Sequence, residues 1–320
     1  MQFPFQLLPQ ADFDVIGFGT NAVDHLIRVP AYPAFDSKVE LTGYTKDAGG
    51  EVASTLVSLQ RLGFKTAYAG RFGADAEGEF GLQTLIKEGV DTAHAEMVDG
   101  AATQTAFIVI DEKTGERTII WHRDNKLQYQ PSEAPLAIVE RGKILHLTPH
   151  DTRAAIEMAK TAKLQGLITS IDIDNVFDEV DQLLPLIDIF TASASFSGKF
   201  SGLEDDRSAM LDIASRFGCA VVGITRGRKG STLLCGDIFI ETSGFDVPNG
   251  CKDTTGAGDA FRAGLLYGLL AGETVEDSAR IANAVAALKC RKFGARSGLP
   301  NKQELNLLLK KHIDETNRLY

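Results

Sequence analysis

From residue 136 onward, apolar runs typical of buried strands alternate with segments that have the spacing of amphipathic helices. The strand-like runs cover residues 144–147, 167–173, 188–191 and 219–225, with helix-like segments at 151–165, 180–186 and 203–217. Strands that alternate with helices in this way predict a parallel sheet covered by helices on both faces. A chain of 320 residues is long enough for one α/β domain of this kind.

Polar side chains follow several of these predicted strands at the point where each strand ends. Ligands of open parallel sheets bind outside the carboxyl ends of the strands. These residues are Thr148, His150, Asp172, Asp174, Asn175, Ser193, Thr225 and Arg226. As a group they predict a binding site at this edge of the sheet, although each is a weak candidate by itself.

The first predicted strand, at residues 14–19, ends in glycines that fit the dinucleotide-binding fingerprint Gly17-x-Gly19-x-x-Ala22. That fingerprint requires a helix directly after it, because the pyrophosphate binds at the helix N-terminus. Residues 23–33 instead have a strand-like composition and end in two prolines. We therefore interpret the fingerprint as accidental. Asp24 is left at a strand end, where it either binds substrate hydroxyls or is a solvated turn acid.

Two β-rich segments predict a small separate sheet, and the second of them lacks a following helix. One covers residues 23–44, and the other is a hairpin whose strands at 105–110 and 118–121 are joined by a polar turn. Arg123 lies at the end of that hairpin, where it either faces a ligand or is solvated. Between the two segments, Gly49 and Gly50 precede a predicted helix and would let a ligand approach the backbone.

Residues 252–261, KDTTGAGDAF, read as a glycine turn that runs into a helix. Backbone N–H groups at such a turn, together with the positive end of the helix dipole, form a cradle for an anion. Asp259 would lie inside this cradle, where a carboxylate could accept the proton of a hydroxyl that attacks a bound phosphate. The alternative for this loop alone is ordinary helix capping.

Composition restricts the partners. The net charge of −10 argues against nucleic acid and anionic membranes, so phosphates would be held by local donors and metal ions. The four cysteines form no CxxC pair, and residues 1–14 lack the features of a signal peptide, which indicates a cytoplasmic protein. P-loop, protein-kinase, HExxH and GxSxG motifs are absent from the sequence.

The segment DTTGAGDAF at 253–261, followed by an alanine- and glycine-rich helix, resembles the second signature of the ribokinase-type, or PfkB, sugar kinases. Further matches in the same order extend the resemblance over essentially the whole chain. They are NAVD at 21–24, Gly49-Gly50, RLG at 61–63, GRFGADAEG at 70–78, Asn283 and Gly294-Ala295. The resemblance implies one ribokinase-like α/β domain over residues 1–320, a three-layer sandwich around a mainly parallel sheet.

The resemblance also implies an activity and a partition of the site. A member of this family would transfer phosphate from ATP, with Mg²⁺, to a hydroxymethyl group of a sugar or nucleoside. Asp259 matches the catalytic base, and Gly256, Ala257 and Gly258 match the anion hole. Asp24, Gly49 and Gly50 match the substrate site, Thr225, Gly227 and Gly230 match the nucleotide turn, and Asn283 matches a residue beside the adenine.

Two further features follow from the resemblance alone. Asp253, with carbonyls near Gly294 and Gly298, matches a monovalent-cation site, occupied by K⁺, that orders the anion hole in many members. The β-rich segments at about 23–46 and 98–124 match a lid that closes over the sugar and often forms a dimer contact. The expected partners are therefore a nucleotide, a sugar and a second copy of the chain.

The chain departs from the family pattern in two places. Where many relatives have Asn-x-x-Glu, which helps to place Mg²⁺, this chain has Ser193 and Phe196. Where relatives have Gly-Gly-Asn-x-x-Asn, it has Glu51 and Ser54 in place of the two amides, so both become candidate substrate contacts. We therefore expect an active sugar kinase with an unusual acceptor. A degenerate kinase that binds ligands without turnover, and a nucleoside kinase, are the alternatives.

Overall fold

The computed structural model describes residues 1–317, with side chains described through residue 312. The strands are β1 (Phe13–Phe18), β2 (Ala22–Val29), β3 (Gly43–Gly49), β4 (Thr66–Gly73), β5 (Asp91–Val98), β6 (Thr105–Asp111), β7 (Arg117–His122), β8 (Gly142–Leu147), β9 (Ile168–Asp172), β10 (Ile189–Ser193), β11 (Val221–Thr225), β12 (Ser231–Cys235) and β13 (Ile238–Thr242). The α-helices are α1 (Glu51–Arg61), α2 (Ala76–Lys87), α3 (Thr152–Gln165), α4 (Val180–Leu183), α5 (Ala194–Ser201), α6 (Asp206–Phe217), α7 (Ala257–Ala271), α8 (Val275–Lys289) and α9 (Lys302–Asn317).

The main sheet has nine strands in the order β13-β12-β11-β10-β9-β8-β1-β4-β5. The strands from β11 to β5 pair in parallel, and β12 and β13 continue the sheet in antiparallel pairing. Two apolar cores lie on opposite faces of this sheet. One is built with α1, α7 and α8, and the other with α3 and α6. The predicted parallel sheet covered on both faces is confirmed.

Helix ends in this layer follow local sequence rules. The Asp75, Asp205 and Thr274 side chains accept hydrogen bonds from the backbone amides of the first turns of α2, α6 and α8. Gly166 and Gly218 end α3 and α6 in the left-handed conformation. These caps let each helix start and stop beside its strand, so polar residues at the strand ends share one edge of the sheet.

A second sheet of four strands, in the order β3-β2-β6-β7, is formed by the two β-rich segments. The β2–β6 pair is parallel and the outer pairs are antiparallel. Leu26, Ala106, Ile108 and Ile110 point from one face of this sheet into a small core with Phe293. The separate sheet predicted from residues 23–44 and 105–121 is therefore present, and its inner face packs on Phe293, in the segment after α8.

The structure refines the predicted elements at several points. The residues after Gly19 form strand β2 and not a helix, as expected if the match to the dinucleotide-binding fingerprint is accidental. The β-rich segment predicted at 23–44 contains almost all of β2, and the next strand, β3, runs beyond it to Gly49. Strand β5 and helix α5 were not predicted. Within residues 1–317, none of the helices has the length and apolar character needed to cross a membrane.

Candidate active site

The glycine turn before α7 is the centre of the site. Gly256 has a φ of 74° and is the N-cap of α7, and the Ala257 amide donates to the Thr254 carbonyl at 3.1 Å. A Cβ on Gly256 would lie 2.9 Å from the Cα of Ala295, so both backbone conformation and space require glycine. The amides of a first helical turn lack intrahelical acceptors and carry the positive end of the helix dipole. This turn can therefore hold an anion.

Asp259 lies in the first turn of α7, directly inside this positive end. Burial raises the pKa of its carboxyl to about 6, and the positive charges of Arg262 and Arg117 oppose that shift. A carboxylate with a pKa in this range can accept a proton near neutral pH. Thr55 fixes the backbone of this residue by donating from its hydroxyl to the Asp259 carbonyl at 3.2 Å.

Asp172, at the end of β9, lies beside this carboxylate and forms a buried ion pair with Arg262 of α7. The Arg262 Nη2 to Asp172 Oδ1 distance is 2.5 Å, and the same nitrogen donates to the Thr191 carbonyl at 3.1 Å. Burial raises the pKa of Asp172 well above its usual value, Arg262 opposes this, and the charge of Asp259 adds to it. Arg262 was not predicted, although a single arginine within the apolar sequence of α7 was a usable signal.

Asp24 corrects one expectation. It lies within β2, not at a strand end, and it is 4% exposed, so it is not a solvated turn acid. A Cβ on Gly49 would lie 2.1 Å from its carboxylate oxygen, and Gly50 has a φ of 87°. Burial raises the pKa of Asp24 to about 7, and Arg296 opposes the shift. The structure brings Asp24, Gly49 and Gly50 together as predicted.

Arg296 is the second buried arginine of the site, and the sequence did not single it out. Its side chain donates to the Gly49 carbonyl, to the Ser54 hydroxyl at 3.3 Å and to the Thr84 hydroxyl at 3.1 Å. Ser54 is fully buried, and its hydroxyl oxygen accepts the hydrogen bond from Arg296. Arg296 thus holds the Gly49–Gly50 turn and the start of α1 in place beside Asp24.

Glu51 and Arg123, both predicted to contact a substrate, have partners within the protein. The Glu51 carboxylate accepts from the Thr20 hydroxyl at 2.9 Å and lies 3.6 Å from His150 Nδ1. Burial raises its pKa well above its usual value, and the charges of neighbouring aspartates add to this. Arg123 pairs with Asp151 at 2.7 Å.

The predicted nucleotide residues meet at the antiparallel end of the main sheet. Thr225 of β11 pairs in register with Ser231 of β12, whose hydroxyl accepts from Asn283 Nδ2 at 2.8 Å. Gly227 and Gly230 between the two strands have φ values of 55° and 90°, and a Cβ on Gly230 would meet the Thr242 carbonyl at 2.0 Å. Asn283 also donates to the Ala279 carbonyl at 2.9 Å, so its amide group joins α8 to β12.

The candidate site combines a glycine turn, a partly buried carboxylate at a helix N-terminus and a second sheet that contributes Asp24. Residues 15–302 match the model of the pfkB family carbohydrate kinases. The chain belongs to this family. The match covers every candidate site residue and both sheets except the first two residues of β1, so the resemblance inferred from DTTGAGDAF is confirmed.

Individual relatives agree with the family assignment. The chain is 30% identical to "Ribokinase" from Haemophilus influenzae over 302 residues, which covers 89% of this chain and 95% of that protein. It is 23% identical to "Nucleoside kinase" from Methanothermobacter thermautotrophicus over 299 residues, covering 92% and 94%. The structure of Arabidopsis thaliana ribokinase complexed with ribose and ATP is similar with a TM-score of 0.80 and 25% identity, over 93% of this chain and 99% of that one.

The segment that replaces the family's Asn-x-x-Glu motif has a structural role in this pfkB member. The Ser193 hydroxyl accepts from the Phe196 amide at 3.3 Å and caps α5, and Phe196 is buried and stacked against Phe200. Within the described residues, no group of three or more His, Cys, Asp or Glu side chains could hold a metal ion. Mg²⁺ commonly binds through one or two carboxylates together with substrate phosphates. Asp174, exposed beyond β9, fits that limited role.

The residues expected to bind a monovalent cation are also brought together in this family member. Asp253 is fully buried, and its two carboxylate oxygens accept from the Thr255 and Gly294 amides, each at 2.8 Å. The Gly298 carbonyl accepts from Arg291 at 3.4 Å. Gly294 therefore contributes an amide donor to this region, where a carbonyl was expected.

Proposed function

We propose that this protein transfers the γ-phosphoryl group of ATP to a hydroxymethyl group of a sugar or sugar derivative, with Asp259 as general base. The observation that carries the proposal is the partly buried Asp259 carboxylate in the first turn of α7, directly behind the Gly256 turn. A carboxylate in an anion cradle destabilises bound phosphate unless it receives a proton during the reaction. Its raised pKa suits it to that task.

The transfer balances without a further reactant. The acceptor hydroxyl gives its proton to Asp259, and its oxygen forms a new bond to the γ-phosphorus. The bond between that phosphorus and the β–γ bridging oxygen breaks, and ADP leaves. Amides of the turn at Gly256, Ala257 and Gly258 stabilise the charge on the transferring group. The Ala257 amide donates to the Thr254 carbonyl in this structure and would turn from it to reach the phosphate.

Arg262 and Asp172 position the base in this scheme. Arg262 lies one helical turn after Asp259, pairs with Asp172 and favours the ionised form of Asp259. Asp174 is the carboxylate we assign to Mg²⁺, which when bound with ATP neutralises phosphate charge. The assignment rests on its position near Asp259, whose pKa it raises, and on its exposure.

The acceptor side is assigned to Asp24, Gly49, Gly50 and Glu51. Asp24 would accept hydrogen bonds from sugar hydroxyls, and the two glycines let the acceptor approach the backbone. Glu51 stands where many relatives have an amide side chain. A carboxylate can accept hydrogen bonds from the substrate but, when ionised, cannot donate one. Ser54 and Arg123 support this region through Arg296 and Asp151. Thr225, Gly227, Gly230 and Asn283 are assigned to the nucleotide.

We also assign the whole chain to one kinase domain, with the four-stranded sheet as its lid and as a contact between two copies of the chain. The outer face of that sheet carries exposed Tyr44, Phe107 and Ile120, with His25 stacked between Tyr44 and Phe107. A contiguous exposed apolar face is typical of an interaction surface. Sedimentation should give a dimer for the native chain and a monomer for Phe107→Lys, with Lys38→Ala as an unaffected control.

The function is tested with a panel of ketoses, aldoses, sugar acids, sugar phosphates and nucleosides, each with ATP and Mg²⁺. ADP release and the ³¹P spectrum of the product identify the acceptor and the phosphorylated hydroxyl. We expect a sugar or sugar derivative to be phosphorylated and the Asp259→Asn variant to show almost no product. Turnover with nucleosides alone would favour the nucleoside kinase, an alternative supported by the nucleoside kinase among the relatives.

The degenerate-kinase alternative is not favoured, because the chain matches the family over residues 15–302 and keeps both the family signature and Asp259. It predicts tight ligand binding in calorimetry without ADP release for any acceptor in the panel. Phosphorylation of one acceptor excludes it.

A further inference from the structure

Lys289, the last residue of α8, is a fully buried lysine at the back of the anion-hole turn. Lysine is almost never fully buried unless its ammonium group is paired. Here the ammonium donates to the backbone carbonyl of Asp253 at 2.9 Å. Burial lowers the pKa of Lys289, and the negative charge of Asp253 opposes that shift. The structure therefore places a cationic group inside the protein, against the first residue of the family signature.

The surroundings of this ammonium are those that the family resemblance assigned to a monovalent cation. The Asp253 carboxylate is held by the Thr255 and Gly294 amides. Gly298 packs so closely on the Lys289 backbone that a Cβ there would lie 1.9 Å from its carbonyl oxygen. The Lys252 amide donates to the Cys290 carbonyl at 2.9 Å, which joins the end of α8 to the segment that enters the turn.

These residues do not fit a bound K⁺. An alkali cation needs several oxygen ligands, and here the Asp253 carbonyl and both its carboxylate oxygens already accept from protein donors. A second positive charge beside the Lys289 ammonium in a buried region would also be strongly repelled. The expectation of K⁺ at Asp253, Gly294 and Gly298 is thus in conflict with the donors present.

We propose that the Lys289 ammonium is a built-in replacement for the monovalent cation and fixes the anion-hole turn. It holds the Asp253 carbonyl, and Asp253 holds the Thr255 amide directly before Gly256. Because this charge is covalently attached, the turn is ordered in any salt. Lys289 is a positioning residue and touches no substrate. The inference rests on the proposed function only for the role of the turn in catalysis.

The first test compares the native enzyme in potassium chloride and in tetramethylammonium chloride of equal ionic strength, since tetramethylammonium is too large for the site. We expect the same kcat and the same melting temperature in both salts. A native enzyme whose turnover or melting temperature rises in potassium overturns the proposal. This measurement needs no variant.

The second test uses Lys289→Ala, which removes the charge and leaves room for a small cation. In tetramethylammonium chloride we expect kcat to fall about 10²-fold, the scale for disturbing an oxyanion-hole donor. Addition of K⁺, ammonium or methylammonium should recover part of that loss and raise the melting temperature of the variant. Lys289→Met fills the space with an apolar chain, so it should lose activity without rescue. Lys292→Ala, at an exposed lysine, is the control and should behave as the native enzyme.

The two proposals fail in different ways. If no acceptor is phosphorylated in any salt, the kinase proposal fails, and the melting temperatures of native protein and Lys289→Ala still test the cation. If the native enzyme turns over only with K⁺, the kinase proposal stands and the role of Lys289 is wrong. The role of Lys289 is also contradicted if Lys289→Ala is active in tetramethylammonium chloride, or if the variant is inactive and no small cation rescues it.

Discussion

Two carboxylates of the candidate site, the buried Asp24 and the partly buried Asp259, have similar electrostatics. Each lies near a buried arginine, Arg262 and Arg296 respectively, and burial raises the pKa to about 6 for Asp259 and about 7 for Asp24. Their settings differ. Asp259 lies at a helix N-terminus behind a glycine turn, whereas Asp24 lies within a strand of the second sheet. A raised pKa alone therefore does not identify the base, and the anion cradle decides between the two.

The largest effect should separate these carboxylates kinetically. Asp259→Asn removes the proton acceptor, so kcat should fall by about 10²–10⁴-fold with little change in the KM of the acceptor. Asp24→Asn removes a charged hydrogen-bond acceptor, so the acceptor KM should rise by about 10- to 100-fold. Steady-state ADP release measures both. If Asp24→Asn lost kcat and Asp259→Asn only raised KM, the two roles would be reversed.

The parts of the candidate site that are local in the chain could be recognised from the sequence. The turn from Asp253 to Asp259 is a contiguous segment, and its glycines, its acid and the following apolar helix can be recognised without tertiary information. The Gly49–Gly50 turn and the polar strand ends, including Asp172, were found in the same way. They share an edge because parallel strands all end on the same side.

What the sequence did not predict depends on distant packing. Arg262 and Arg296 were missed because their partners, Asp172 and the Gly49 carbonyl, lie far away in the chain. Strand β5 is half-exposed at the sheet edge, so it lacks the apolar pattern of a buried strand. Helix α5 was missed because its small polar residues carry little helical periodicity.

The second prediction tests the cradle that distinguishes Asp259 from Asp24. Gly256→Ala introduces a Cβ 2.9 Å from the Ala295 backbone at a φ of 74°. The turn must shift, and kcat should fall by up to about 10²-fold, the effect of a lost oxyanion donor. ADP release with saturating acceptor gives kcat.

The matched control is Gly218→Ala, at the C-cap of α6. Gly218 has a φ of 75° but no atom within 4 Å of an added Cβ. Both substitutions carry the left-handed strain of about 1–2 kcal/mol, which urea denaturation measures. Only Gly256→Ala should lose activity. Equal kcat in the two variants would show that the turn is not the cradle.

The third prediction concerns Arg262, the buried arginine beside Asp259. The kcat/KM of the native enzyme should rise with pH through about 6, as the coupled Asp259 and Asp172 carboxyls release a proton. Arg262 favours the ionised form of Asp259, so Arg262→Met should move this acid limb to higher pH. Arg262→Lys keeps the charge and should move it less. A pH profile of kcat/KM that is identical in all three proteins would contradict the role of Arg262.

The smallest effect concerns the free energy of unfolding, which the buried Asp24 carboxyl should lower as pH rises. Its pKa is raised from 3.8 to about 7, so between these values the folded chain keeps a proton that the unfolded chain has released. The unfolded state then binds fewer protons, and the free energy of unfolding falls as pH rises through this window, by at most about 4 kcal/mol. An asparagine at this position cannot titrate, so Asp24→Asn should lack this loss of stability.

Urea denaturation at both ends of the pH window measures the effect. As pH rises, the free energy of unfolding of Asp24→Asn should increase relative to that of the native chain. The control Asp237→Asn, at an exposed turn, should show no such relative increase. An equal pH dependence in native protein and Asp24→Asn would mean that Asp24 stays ionised beside Arg296, and its part in binding the acceptor would then be that of a fixed charge.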